Sequence, residues 1–229
     1  MRKHNDSLAT LTPRGIRIVE HSAKLAQCGL YAITNGPRAD LLDVVAQALA
    51  GGARLLQYLD EEPGDARRHA EAAAIAPLCR QHAVPLIIHE DVALAQAIGA
   101  DGVHLAHSVD AIRAARECLG PAAIIGVACR DSLADARSAA QAGASYVSFG
   151  AMYPSPTKPK ATIAPVDLLR QSAALGVARV AIGGITPDNA VLLIEAGADY
   201  VASISSLFAA PDVRSAAQRF ARLFPSPNP

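Results

Sequence analysis

Two short clusters near the end of the chain offer backbone amides to an anion. Gly183-Gly184 follows one apolar run, and Ile204-Ser205-Ser206 follows the next and opens a short helical stretch, Ser205 to Phe208. Bare amides beside a helix N-terminus hold a phosphate without any formal cation. Upstream, the segment Tyr153-Pro154-Ser155-Pro156-Thr157-Lys158-Pro159-Lys160 carries hydroxyls, cations and three prolines. A loop of this length in a compact fold is usually functional, and its prolines would pre-order Thr157 and Lys158 over a bound anion. Lys160 reads as a solvated charge. The acid–base candidates by residue type are His89, His104 and His107. Grouped with Glu90 and Asp110, these histidines would suit zinc or another transition metal better than Mg²⁺. Against that, a lone histidine at a strand end is more often a hydrogen-bonded structural residue.

The elements that must position these groups follow from a repeated phrase. Ala50-Gly51-Gly52-Ala53 ends one helix-like run and opens an apolar one, and the pattern returns at Ile98-Gly99-Ala100, Ala142-Gly143-Ala144 and Ala196-Gly197-Ala198. Each reads as a helix closing on a left-handed glycine and turning into a buried strand. Successive phrases lie roughly 45 to 55 residues apart, the length of two βα units. The predicted strands are Leu30–Ile33, Arg54–Tyr58, Leu86–His89, Gly102–Leu105, Ala123–Val127, Tyr146–Phe149, Arg179–Ile182 and Tyr200–Ile204. Ala-rich helical periodicity fills segments such as Asp40–Ala50, Asp65–Gln81, Ala134–Gln141 and Pro187–Glu195. Strict alternation means a parallel sheet covered by helices. A doubly wound sheet shares that alternation, but the fourfold echo favours a closed α/β barrel, the (βα)8 TIM barrel. Residues 29–224 are assigned to the barrel, 1–28 to an N-terminal extension with an extra helix over 13–26, and 225–229 to a fraying tail. In such a barrel only residues just after each strand are placed for chemistry.

Composition narrows the function classes. Hydrophobic residues are 51% and charged residues 18%, ample for a buried core. Lys plus Arg and Asp plus Glu are 21 each, so no basic excess points to nucleic acid or an anionic membrane. Aromatic residues are only 4% and there is no Trp, which argues against base-stacking platforms. Cys28, Cys79, Cys118 and Cys129 form no C-x-x-C pair, so reduced thiols are expected rather than a zinc site. The N-terminus lacks an apolar signal core, and no apolar stretch reaches membrane-span length. The expectation is a cytoplasmic protein acting on small phosphorylated molecules, with no nucleic-acid or membrane partner and with room for a homo-oligomer.

Several runs carry a family resemblance. Gly29-Leu30-Tyr31-Ala32-Ile33-Thr34, Leu55-Leu56-Gln57-Tyr58 and Asp101-Gly102-Val103-His104-Leu105 resemble thiamine phosphate synthase. So do Pro154-x-x-Thr157-Lys158-Pro159, Ala181-Ile182-Gly183-Gly184-Ile185-Thr186 and Gly197-Ala198-Asp199. The likeness runs in order from about residue 29 to 224 and is specific to the family containing that synthase and the thiazole tautomerase. It implies an α/β barrel that joins an aminopyrimidine pyrophosphate to a thiazole phosphate, releasing pyrophosphate with Mg²⁺ assistance. Gly184, Ile204 and Ser205 fall on the family's phosphate-binding amides. Ser155, Thr157 and Lys158 fall on its lid loop, and Gln57 on its pyrimidine-contacting glutamine.

The other half departs from the pattern. Gln-x-Arg-x-Lys has become Gln57-Tyr58-Leu59-Asp60-Glu61, and Asn-Asp-Asp has become His89-Glu90-Asp91. A metal-binding Asp has become Val109, with Asp110 one residue later, and the family's Ser and His after strand five read Ala128 and Arg130. A cation turned anion about 5 Å from a phosphate charge costs on the order of 3 kcal/mol per charge at an effective dielectric near 20. Three readings compete. A synthase with a rebuilt site would hold Mg²⁺ on Glu90, Asp91 and Asp110 and use Lys158 and Arg130 as catalytic cations over the leaving group. A thiazole-phosphate tautomerase would need only the phosphate site and a proton shuttle. A non-enzymatic paralogue would keep the phosphate pocket alone.

Overall fold

Residues 25, 27–62, 64–155 and 160–225 are described by the structure, a computed structural model. Strands and helices alternate: β1 Gly29–Ile33, α1 Leu41–Ala50, β2 Ala53–Tyr58, α2 Asp65–Gln81, β3 Leu86–His89, α3 Val92–Ile98, β4 Gly102–Ala106 and α4 Val109–Leu119. The second half continues with β5 Ile124–Arg130, α5 Leu133–Gln141, β6 Tyr146–Phe149, α6 Asp167–Gln171, β7 Ala178–Ile182, α7 Ala190–Glu195, β8 Tyr200–Ser203, α8 Ser205–Phe208 and α9 Val213–Ala221. The eight strands close into a barrel in sequence order, sealed by the parallel pairing of Leu30 with Val201 and Ala32 with Ser203. Closure decides between the two alternating architectures. The expected helix over 13–26 lies outside the described residues apart from Leu25, as do residues 226–229.

Alternation along each strand sorts the buried residues into two cores. One face, with Leu30, Leu56, Ile88, Val103, Val127, Val147 and Val201, packs under the helices. The other fills the barrel with Tyr31, Ile33, Leu55, Ile87, Ile124, Tyr146, Val180 and Tyr200. Near its floor the Tyr200 hydroxyl donates to the Leu25 carbonyl at 3.2 Å. Gly99 ends α3 at φ 64°, in the left-handed region the repeated phrase requires.

β1, β2, β4, β7 and β8 differ from their expected lengths by one residue, and β5 departs furthest. β5 was expected to stop at Val127 and runs on to Arg130, because Ala128 pairs with both Ala106 and Ser148. The ladder then shifts register, and Arg130 sits at φ 52°. Among the described residues, no helix is long and apolar enough to cross a membrane.

Candidate active site at the barrel mouth

The half expected to hold phosphate is built from three adjacent loops. Gly184 sits at φ 63°, and an added Cβ would lie 2.6 Å from the carbonyl oxygens of Tyr153 and Pro154. Only glycine permits both that conformation and that approach. The β6 and β7 loops are stitched together where Tyr153 N–H donates to the Gly183 carbonyl at 3.0 Å and Tyr153 hydroxyl to the Asn189 carbonyl at 3.0 Å. Asn189 Nδ2 in turn donates to the Gly184 carbonyl at 3.1 Å. β8 lies beside β7, and α8 starts directly after it, so Gly184, Ile204 and Ser205 share one edge of the mouth. Arg38, from the β1 loop, closes the far end of α8 by donating to the Phe208 carbonyl at 2.8 Å while its other nitrogens grip Asp40. Ser155 is described at the start of the lid loop; Thr157 and Lys158 lie outside the described residues.

Below the mouth, inward-facing polar side chains connect across five strands. Tyr31 hydroxyl donates to Gln57 Oε1 at 2.7 Å, and the Tyr31 and Tyr146 hydroxyls are 2.7 Å apart. His104 Nδ1 lies 2.9 Å from the Tyr146 hydroxyl, and Gln57 Nε2 lies 3.2 Å from His89 Nδ1. Gly126 makes room for this arrangement: a Cβ there would fall 1.9 Å from the Tyr146 ring. Burial raises the Tyr31 and Tyr146 phenols above their ordinary range, so both stay protonated. Burial, and then the neighbouring His89, pushes His104 down to about 3, so this ring is neutral.

The β2 loop is held rigidly from outside. Asp60 is buried and bonded to Arg67 of α2, and it accepts the Glu62 N–H at 2.9 Å. Burial pushes this carboxyl up, but the Arg67 and Glu62 bonds outweigh it and leave it below its usual value. Leu59 is clasped by Thr34, whose hydroxyl accepts Leu59 N–H at 2.8 Å and lies 2.9 Å from its carbonyl. Leu59, partly buried, packs against the barrel interior. The exposed Glu61 carboxylate reaches to 3.9 Å from His89 Nε2.

The carboxylates expected to hold Mg²⁺ are not brought together. Asp91 spends one oxygen capping α3 at Leu94 N–H, 2.8 Å, and the other on Arg68 at 3.1 Å. Glu90 is exposed at φ 54°, and Asp110 is exposed in the first turn of α4. Among the described residues, no three His, Cys, Asp or Glu side chains group as metal ligands. The three residues present do not fit the ion as a protein cage. The alternative histidine-rich metal set also fails, because His107 turns to α5, its Nε2 2.8 Å from Ser138 Oγ. Cys129 is a core thiol, pushed up to about 12 by burial and then by the charge of Asp135. Arg130 stands exposed at the end of β5.

The residues that sequence reasoning missed are Tyr31, Tyr146 and Arg38. The two tyrosines share inward parity with Gln57 and His104, which was the available signal. An open groove of about 570 Å³ between α1 and α2, lined by Arg38, Asp43 and Glu71, contains none of the inward-facing groups.

Comparison with known proteins bears on this geometry. Residues 30–207 match the family model described as thiamine monophosphate synthase. The chain is 52% identical over 199 residues to the thiamine-phosphate synthase of Thiobacillus denitrificans, covering 86% of this chain and 94% of that one. It is 49% identical over 204 residues to that of Nitrosococcus oceani, covering 87% and 94%. Among solved structures, a thiamine phosphate pyrophosphorylase from Pyrococcus furiosus superposes with a TM-score of 0.76 at 30% identity, over 87% of this chain and 95% of that one.

Proposed function

The chain belongs to the thiamine monophosphate synthase family, and we propose on that basis that it joins an aminopyrimidine pyrophosphate to a thiazole phosphate. The observation that carries this reading is the family match along nearly the whole barrel. The protein is a transferase of thiamine biosynthesis. In the reaction, the bond from the pyrimidine methylene carbon to the pyrophosphate oxygen breaks, and its electron pair leaves with pyrophosphate. A new bond forms from that carbon to the thiazole nitrogen.

The chain's contribution is positioning and charge stabilisation. Gly184, Ile204 and Ser205 hold the thiazole phosphate, with Ser155, Thr157 and Lys158 closing over it. Gln57, fixed between Tyr31 and His89, orients the pyrimidine. Arg130 and Lys158 supply the positive charge for the leaving group that Leu59 and Glu61 do not. Mg²⁺, when bound, would neutralise pyrophosphate charge; Glu90, Asp91 and Asp110 do not group to hold it. The phosphate charges of both substrates keep them inside a cell, which supports a cytoplasmic site of action. The tautomerase reading is not retained: the position of its histidine carries Arg130, and His107 faces Ser138 instead.

The test mixes the purified protein with both substrates and Mg²⁺ and follows thiamine phosphate with time. Steady turnover is expected. Absence of product while both substrates bind would overturn the reading.

A further inference from the structure

The polar groups inside the barrel form one chain with a direction. Tyr31 has a single hydroxyl hydrogen and gives it to Gln57 Oε1. The bond between the two phenols must then be donated by Tyr146. Tyr146 has no second hydrogen, so His104 must carry its proton on Nδ1 and donate it, leaving Nε2 as an acceptor. At the other end, Gln57 Nε2 donates to His89 Nδ1, so the His89 proton sits on Nε2, facing Glu61. Every donor is committed in one sense, from His104 to Glu61. Reversing any member reverses them all, because each hydroxyl and each neutral ring has one hydrogen to place.

We propose that Glu61, acting through His89, sets the sense of this chain and makes the pocket a reader of an amino-substituted ring edge. Both are positions where the chain departs from its family's pattern. At 3.9 Å the Glu61 carboxylate acts on His89 as a charge, holding the proton at Nε2. The sense of the chain leaves Gln57 with a second N–H to give and His104 with an Nε2 lone pair. A donor on β2 and an acceptor on β4 match a ring that offers both a nitrogen lone pair and an amino group. The oxo counterpart, with a ring N–H beside a carbonyl, presents the inverse pattern and leaves both protein groups unpaired. The stacked His89 and His104 rings, 6.4 Å apart at 20°, keep the two ends in register. Glu61 is thus a positioning residue. The ring chemistry rests on the proposed synthase reading; the direction of the chain does not.

The test reads proton positions directly. Long-range proton–nitrogen spectra of the full chain with labelled histidines, assigned with His89→Asn and His104→Asn, are expected to show His89 protonated at Nε2 and His104 at Nδ1. Glu61→Leu should turn both rings into tautomer mixtures. Glu61→Gln, which keeps the side-chain shape without the charge, should do the same, whereas Glu61→Asp, which keeps the charge, should preserve them. In parallel, calorimetry with the aminopyrimidine and its oxo counterpart should show the preference for the amino ring falling at least about tenfold in Glu61→Leu and returning in Glu61→Asp. His89 protonated at Nδ1 in the unmodified chain, tautomers unmoved by Glu61→Leu, or binding of neither ring would each overturn the proposal. Failure of the synthase reading is separate: it would appear as no product with the tautomers as expected.

Discussion

The guanidinium of Arg38, just beyond β1, donates to the carbonyl of Phe208, the last residue of α8, at 2.8 Å. The same group bonds Asn35 Oδ1 at 3.1 Å and both oxygens of Asp40. It therefore ties the first loop of the barrel to the last, on the side where Gly184, Ile204 and Ser205 share one edge of the mouth. A four-residue helix has little cooperativity of its own, so its orientation depends on such ties.

Replacing Arg38 with alanine should let α8 drift without touching any ligand. The lost bond is worth about 1.5 kcal/mol, which is about tenfold in affinity. Titration of thiazole phosphate into Arg38→Ala should show that weakening, with aminopyrimidine binding within about twofold of the parent. Equal weakening of both ligands would mean that Arg38 supports the whole mouth rather than α8.

Gly184 makes a sharper case. Alanine there would take a left-handed conformation and meet the Tyr153 and Pro154 carbonyls at 2.6 Å. Strain and overpacking together cost about 2 to 4 kcal/mol. Gly184→Ala should melt at lower temperature and lose at least about tenfold in thiazole phosphate affinity. An unchanged affinity would remove Gly184 from the phosphate site.

These two residues show what the sequence revealed and what it hid. The glycine pair was legible because glycines after an apolar run have a specific physical meaning at a barrel's C-terminal end. Arg38 was not, since its partner lies 170 residues away and is a backbone carbonyl that any residue could supply. The strands were legible from apolar runs bounded by glycine turns, but β5 overran its expected end because pairing on both sides extends it. Asp91 stands where the family resemblance implies a metal ligand, although Asp three residues before Leu94 in an apolar run is also a helix cap. Tyr31 and Tyr146 looked like core residues because they are core residues; only ring-to-ring closure of the strands brings their hydroxyls together.

His104 couples the buried chain to stability. Its folded value of about 3 lies below the usual 6.5, so between those values the unfolded state binds more protons. Stability therefore rises with pH through that window and is lost as pH falls, by about 1.4 kcal/mol per pH unit. Urea midpoints of the parent chain should fall between pH 6.5 and 5 by the equivalent of about 2 kcal/mol more than those of His104→Asn. Parallel pH profiles for the two proteins would place the proton uptake elsewhere.

Leu59 offers a gain of function. Its backbone is fixed on both sides by the Thr34 hydroxyl, and its partly buried side chain packs against the barrel interior. An arginine in its place would extend a guanidinium toward the leaving group from a rigid base, restoring one of the charges the β2 loop lacks. At about 5 Å and an effective dielectric near 20 the attraction is about 3 kcal/mol. Solvent at the mouth reduces it, so about tenfold in kcat/KM for the aminopyrimidine pyrophosphate is expected, with KM for thiazole phosphate unchanged. The gain should shrink as salt is raised, because the contact is a charge in a hydrated mouth. A Leu59→Arg enzyme no faster than its parent at low ionic strength would mean that pyrophosphate leaves from the β5 and β6 side, and Arg130 would then carry the charge alone among the described cations.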